Sequence, residues 1–271
     1  MNLIDVHCHI NHEHFKKNLA EVIKRQEKAG MKAIVVSGVN TPSNREVLEL
    51  SKQYPLIKAS LGIHPIDGIG LSEGETGLPK QVKKVDIDKE LKFIEEHKDE
   101  IVSIGEIGLD FHWADKEKTF QEQEENFRKI IRLAIKIRKP IVIHTWEGEE
   151  ECLNILEEEV TKRPENEWIP VVLHCFSGRK SLITRAKELG YYFSVPPSIL
   201  RSGNFQTLVR KVPLTQLLTE TDAPWQTPFK DQMNEPAFVI ETIKKMAEIK
   251  EISVEEVADQ IWKNYQKVFG K

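Results

Sequence analysis

The stretch Asp5–His14, DVHCHINHEH, places four of the chain's nine histidines within eight positions, with a cysteine between the first two. Imidazole and thiolate both bind metal ions, so the spacing must decide which of these five groups converge. Side chains alternate across an extended strand; His7 and His9 therefore face one side and Cys8 the other. The same alternation separates His174 from Cys175 in VVLHCFSG, and both cysteines are read as small buried hydrophobes. His12 and His14 fall in the loop and early helix beyond the strand, where a solvated position at the mouth of a site is expected.

More ionisable residues follow other apolar runs: His64, Glu106, His144, His174 and Asp222. Burying such groups without partners costs several kcal/mol each, so a ring of them after apolar strands points to chemistry rather than stability. Imidazole and carboxylate donors without thiolate suit zinc, manganese or magnesium, and this many donors suits two ions. Glu106 is the natural bridge, because each carboxylate oxygen can serve a different ion. Two ions about 3.5 to 4 Å apart stabilise both the attacking and the leaving oxygen of a phosphoryl displacement. Phosphodiester hydrolysis is the chemistry this pattern predicts.

These residues need a scaffold that brings strand ends together. Eight strand candidates run along the chain: LIDVHCH, KAIVVSG, LIKASLGIH, IVSIGEIGLD, KPIVIH, IPVVLH, YYFSV and QLLTET. Helical patterns lie between them, with Gly30 and Gly190 placed as C-caps and Ser253 as the N-cap of a final helix. Eight alternations over about 250 residues predict an α/β fold, a parallel (β/α)8 TIM barrel, with its active site at the strands' C-terminal ends. A doubly wound open sheet is the alternative. No Ser/Gly/Pro-rich linker divides the sequence, so one domain over residues 1–271 is expected, and residues 67–86, DGIGLSEGETGLPKQVKKVD, read as a long loop.

Composition narrows the function classes. A formal net charge of −4 gives no global basic field, so any phosphate recognition must be local. Three cysteines are too few for a disulfide framework and fit a reducing compartment. No signal-peptide pattern and no apolar run near the roughly 18 residues of a membrane span is present. A cytoplasmic protein with no membrane association and no obligate protein partner is the expectation.

The motifs DVHCH, GIHP, GEIGLDF, PIVIH, VLHCFSG, TETDAPW and NEP, taken in order from Asp5 to about Phe269, resemble the TatD family of metal-dependent deoxyribonucleases, within the amidohydrolase-like metallohydrolases. The resemblance implies a (β/α)8 barrel with two divalent ions and a DNA substrate, single-stranded or at ends. By motif, His7, His9, Glu106 and Asp222 resemble the ligands of one ion, and Glu106, His144 and His174 those of the other. Asp222 also resembles the acid/base residue, and His64 a residue that contacts substrate or orients a ligand. Glu220 is either a support for this site or a salt-bridged barrel residue.

The departures concern substrate contacts. Ile66 stands where the family often has a second histidine, Trp146 and Met233 where it often has arginines, and Asn11 where an aspartate is common. The lost arginines would have been bidentate partners for phosphate or carboxylate. Trp146 offers instead a face on which a base could stack. Trp113 and Trp225 also follow barrel strands, and the three indoles fit either nucleotide binding or a hydrophobic wall. Two other functions stay open at this point: hydrolysis of an amide, ester or lactone by the same scaffold, and a non-catalytic metal-binding barrel, which the intact Asp222 disfavours.

Overall fold

The computed structural model describes residues 1–71, 77–81 and 83–270. Its strands are β1 (Leu3–Cys8), β2 (Met31–Ser37), β3 (Ile57–Leu61), β4 (Ile101–Asp110), β5 (Ile141–Trp146), β6 (Val171–Leu173), β7 (Tyr192–Val195) and β8 (Leu217–Thr219). They form one sheet in sequential order, each paired parallel with the next. The eight predicted strands all form, and the fold is the TIM barrel that their alternation with helices requires.

The sheet closes on itself where β8 returns to β1. The Thr219 hydroxyl donates to the Ile4 carbonyl at 2.6 Å. Beyond the end of β8, the Asp222 N–H donates to the His7 carbonyl and the His9 N–H to the Ala223 carbonyl, at 2.9 and 2.8 Å. The seam therefore sets His7, His9 and Asp222 side by side through their own backbones. Asp5 reinforces it from full burial, accepting the N–H groups of His7 and Thr221 at 3.1 and 3.0 Å and the Thr221 hydroxyl. Removing this carboxylate would leave buried donors unsatisfied on both sides of the seam.

The barrel interior is layered. Ile4, Val6, Ala33, Val35, Val142, Val172 and Leu218 form one apolar cluster, to which the final helix, Val254–Phe269, adds Tyr265, Val268 and Phe269. Two residues further along their strands, on the same side of the pleat, stand Ser37 and His144, and His174 follows directly beyond the end of β6. The outward-facing residues, such as Ile141, Ile143, Val171 and Leu173, pack in a second and larger core that includes Val22, Phe127 and Ile183 of the surrounding helices.

Two strands break their alternation at the site. In β1 the register shifts between Asp5 and Cys8, which lets His7 turn inward although Val6 beside it is already interior. In β4 the shift lies between Ile104 and Ile107, around Glu106. Bulges of this kind re-aim side chains. Gly62, just past the end of the neighbouring β3, makes room: a Cβ there would sit 2.4 Å from the Gly105 carbonyl carbon and 2.5 Å from the Glu106 nitrogen.

The local signals hold at the ends of helices. Gly30 and Gly190 take positive φ after their helices, at 92° and 79°. Ser253 caps the last helix in a reciprocal capping box with Glu256. The predicted loop over residues 67–86 is shorter at its start, because Pro65–Gly68 forms a helical turn. Residues 72–76 and 82 of that prediction lie outside the described residues. Among the described residues, no helix is long and apolar enough to cross a membrane.

Candidate metal centre

The two oxygens of Glu106 face two separate groups of donors. On one side, His7 Nε2 and His9 Nε2 lie 3.2 Å apart, 3.5 and 3.4 Å from Glu106 Oε2, and 3.6 and 3.7 Å from Asp222 Oδ1. On the other, His144 Nδ1 and His174 Nε2 lie 2.8 and 3.1 Å from Glu106 Oε1. The first group joins β1 to the segment after β8, far apart in sequence, and the second joins β5 to the segment after its neighbour β6.

Outer partners fix how the rings point. His9 Nδ1 lies 3.2 Å from the Ser37 carbonyl; donating there leaves the Nε2 lone pair facing the cluster. His7 Nδ1 meets the Ser37 hydroxyl at 3.0 Å. His144 Nε2 meets Asp110 Oδ2 at 3.0 Å. Glu220 accepts the Cys175 N–H at 2.8 Å and the Ser194 hydroxyl at 2.5 Å, and its Oε2 lies 3.4 Å from His174 Nδ1. Glu220 is fully buried and stands within ion-pair distance of His174, whose Nδ1 has no hydrogen-bond partner among the described residues.

The electrostatics reflect this crowding. Burial opposes ionisation of Glu106, but His7, His174 and His144 outweigh it and hold the carboxyl well below the usual range. Burial pushes Asp222 up to about 6. Burial lowers His64 to about 3, with the neighbouring His144 adding to the effect. Burial also disfavours charge on His144, yet its hydrogen bonds to Asp110 and Glu106 raise it to about 9.

Glu106 Oε2 is buried with no hydrogen-bond partner among the described residues. An ionised oxygen in that position is unfavourable unless positive charge neutralises it. The donors around it are imidazole and carboxylate, the set that suits borderline and hard divalent ions. The residues present therefore fit divalent ions on both sides of Glu106.

Several positions differ from the sequence expectation. Glu106 lies inside β4 rather than at its end; Asp110, four residues on, ends that strand and meets His144, and its spacing from Glu106 is the signal for it in the sequence. β8 stops at Thr219, so Glu220 and Asp222 are not placed by strand alternation, and Asp222 has a φ of 54°. Cys175 is not a buried outward residue: with a φ of 44° it is half-buried and lines the cleft beside His174. Alternation fails there because β6 has already ended at Leu173. His12 is buried as the N-cap of the short helix Glu13–Lys16, its Nδ1 accepting the His14 N–H at 3.0 Å, while His14 is exposed. Cys8 does face outward, its thiol directed at the Val35 carbonyl.

Above the centre opens a cleft of about 500 Å³, lined by Glu106, His144, His174 and Asp222 below and by Trp113, Trp146 and Trp225 around the rim. Trp146 is 41% exposed and Trp113 54%, so neither is a buried wall. Trp225 packs edge-on against His9 and His12. His64 is buried beside His144, with ring centroids 4.4 Å apart. Its Nδ1 accepts the Ile66 N–H at 3.3 Å, and its Nε2 has no hydrogen-bond partner among the described residues. Ile66 itself is buried.

A family model described as TatD related DNase matches residues 4–270. The chain belongs to the TatD related DNase family. Among its relatives is the deoxyribonuclease TATDN3 of Homo sapiens, 33% identical over 274 residues that cover 100% of this chain and 96% of that protein. A protein of Methanocaldococcus jannaschii named uncharacterized metal-dependent hydrolase MJ1582 is 35% identical, covering 99% of this chain and 97% of its own length. The crystal structure of YJJV, a TatD homologue from Escherichia coli k12, superposes with a TM-score of 0.82 at 25% identity, covering 99% of this TatD chain and 98% of that one. A TatD family hydrolase from Entamoeba histolytica shares the fold at a TM-score of 0.82.

Proposed function

We propose that this TatD family member is a divalent-metal-dependent deoxyribonuclease that hydrolyses DNA phosphodiester bonds at a centre for two ions. One ion would be held by His7, His9, Glu106 and Asp222, and the other by Glu106, His144 and His174. The observation that carries this reading is the division of one buried carboxylate between two sets of donors. The relatives named as a deoxyribonuclease and as a metal-dependent hydrolase support the reaction class. Zinc, magnesium and manganese all suit the donor set.

Bound divalent ions would lower the pKa of an attacking water and offset charge developing on the phosphoryl oxygens. Asp222 then acts as the proton acceptor. Its carboxylate stands at the open side of the first donor group with 15% of its side chain exposed, whereas Glu106 is enclosed. Glu106 holds the two groups of donors in fixed relation, and Glu220 and Asp110 keep His174 and His144 turned toward it. His64 and Trp146 are the substrate contacts.

The cleft volume falls in the range of single-ligand pockets, roughly 300 to 1,000 Å³, so it suits one splayed nucleotide better than a stacked duplex. Single-stranded DNA and strand ends are the corresponding substrates. The test is an assay of the purified protein with Mg²⁺, Mn²⁺ or Zn²⁺ against labelled single-stranded DNA, duplex DNA, RNA and a panel of esters and amides. DNA cleavage that requires metal and is lost in Asp222→Asn is the expected outcome. Intact DNA under every metal, with an ester or amide cleaved instead, would overturn the nuclease reading.

A further inference from the structure

The rim of the cleft is unusual for a site that receives a polyanion. Of the described residues that line it, none is a lysine or arginine, while three are tryptophans and one is Phe205. Arg179, two residues beyond the cleft-lining Ser177, is exposed and paired with Glu150 at 2.8 Å. Lys80 lines the smaller adjoining cavity that shares Trp113, His144 and Trp146, so recognition in the main cleft draws on more than charge on its walls.

Trp146 is built as a platform. Its ring lies 4.0 Å from the His112 ring at an interplanar angle of 6°, a parallel stack that covers one side of the indole. The His112 ring is itself held, with Nδ1 3.0 Å from Glu147 Oε1. Trp113 stands across this stack at 82°, its centroid 6.2 Å from that of Trp146. The turn carrying His112 and Trp113 is pinned by Asp110 Oδ1, which accepts both backbone N–H groups at 3.0 and 2.9 Å. Asp110 Oδ2 faces His144. One carboxylate thus fixes the platform relative to the reacting centre.

Leaving two large indoles exposed forgoes the free energy of burying them, so rigid exposed aromatics beside a cleft mark a binding surface. A flat ring with one face supported and the other open suits a second flat ring. We propose that the Trp146–His112 stack, cornered by Trp113, is a nucleobase platform, and that this chain selects its substrate by stacking the base next to the scissile phosphate. This rests on the nuclease reading above and extends it to substrate choice. His112 is a positioning residue that holds the indole flat, and purines, with the larger π-face, are the preferred bases.

The experiment compares kcat/KM on single-stranded oligonucleotides whose scissile nucleotide carries adenine, thymine or 5,6-dihydrothymine, the last keeping the hydrogen-bonding groups of thymine but losing its aromatic plane. The wild type is expected to rank adenine, thymine, dihydrothymine. Loss of one aromatic–base stack corresponds to a decrease of roughly 5- to 150-fold. Trp146→Ala should show that decrease on adenine, mainly in KM, and collapse the thymine-to-dihydrothymine ratio toward one; Trp146→Phe should retain most of the ratio. His112→Ala should lose part of the discrimination and His112→Phe recover it. Trp168→Ala, which removes an exposed indole preceding β6 at the other end of the barrel, should leave the ratio unchanged. Equal rates on the three wild-type substrates, or a ratio that survives Trp146→Ala, would overturn the platform while leaving the nuclease reading intact. If no DNA is cleaved, the nuclease reading fails and binding decides the platform: tighter binding of dAMP than of deoxyribose 5-phosphate, lost in Trp146→Ala, supports it, and equal binding overturns it.

Discussion

Within one barrel, two residues of strand separate hydrocarbon from ionisable groups. Val142 and Val172 face inward in the apolar layer; His144 follows on the same strand and face as Val142, and His174 stands just past the end of β6. The apolar layer is a contiguous packed cluster closed by the last helix. The polar layer has an unsatisfied carboxylate oxygen and imidazoles forced close together. The difference shows that stability and chemistry are allocated to different heights of one scaffold, so substitutions two residues apart should act on different observables.

The largest effect expected is on activity. Glu106→Ala removes the group shared by both donor sets and should lower metal-dependent hydrolysis by roughly 10³-fold or more, with metal content per chain falling in parallel. Unchanged activity would remove the basis for the contrast.

A carboxyl outside both layers gives a pH signature. Burial raises Asp67 from 3.8 to about 6, against the lowering hydrogen bond from Asn40. A raised folded-state pKa means that its contribution is fully present below about 4 and lost as pH rises through about 6. The loss is on the order of 3 kcal/mol. Denaturant midpoints of the wild type and Asp67→Asn should diverge across that window, with the variant not losing this increment; parallel curves would contradict it.

In the apolar layer, Val172→Ala should destabilise the fold by about 2 to 3 kcal/mol by opening a cavity, while kcat at saturating metal stays near that of the wild type. A fall in kcat without loss of stability would merge the two layers. The smallest effect concerns the brace behind the polar layer. Glu220→Ala should weaken metal affinity or activity by about 10- to 100-fold, as expected when an outer partner of a ligand is lost. Metal titration followed by activity separates this from the larger loss at Glu106.

Much of this organisation was readable beforehand. All eight strands lie within or beside the predicted runs because apolar alternation is a local property, and the caps at Gly30, Gly190 and Ser253 follow from local backbone geometry. The roles of Ser37 and Asp5 are not legible in the sequence, since each acts through a partner on another segment of the barrel. Cys175 departs from the outward position expected from alternation because β6 ends at Leu173 and the chain enters a left-handed turn.

The sequence by itself determined the barrel, the order of its strands and the set of ionisable residues that gather at one end, because side-chain type, period and order are written along the chain. Only the tertiary structure decided that His7 turns inward through a bulge, that the two Glu106 oxygens serve different neighbours, and that Trp146 is stacked and exposed rather than buried. These depend on register shifts and on contacts between strands far apart in sequence, and no local period encodes them.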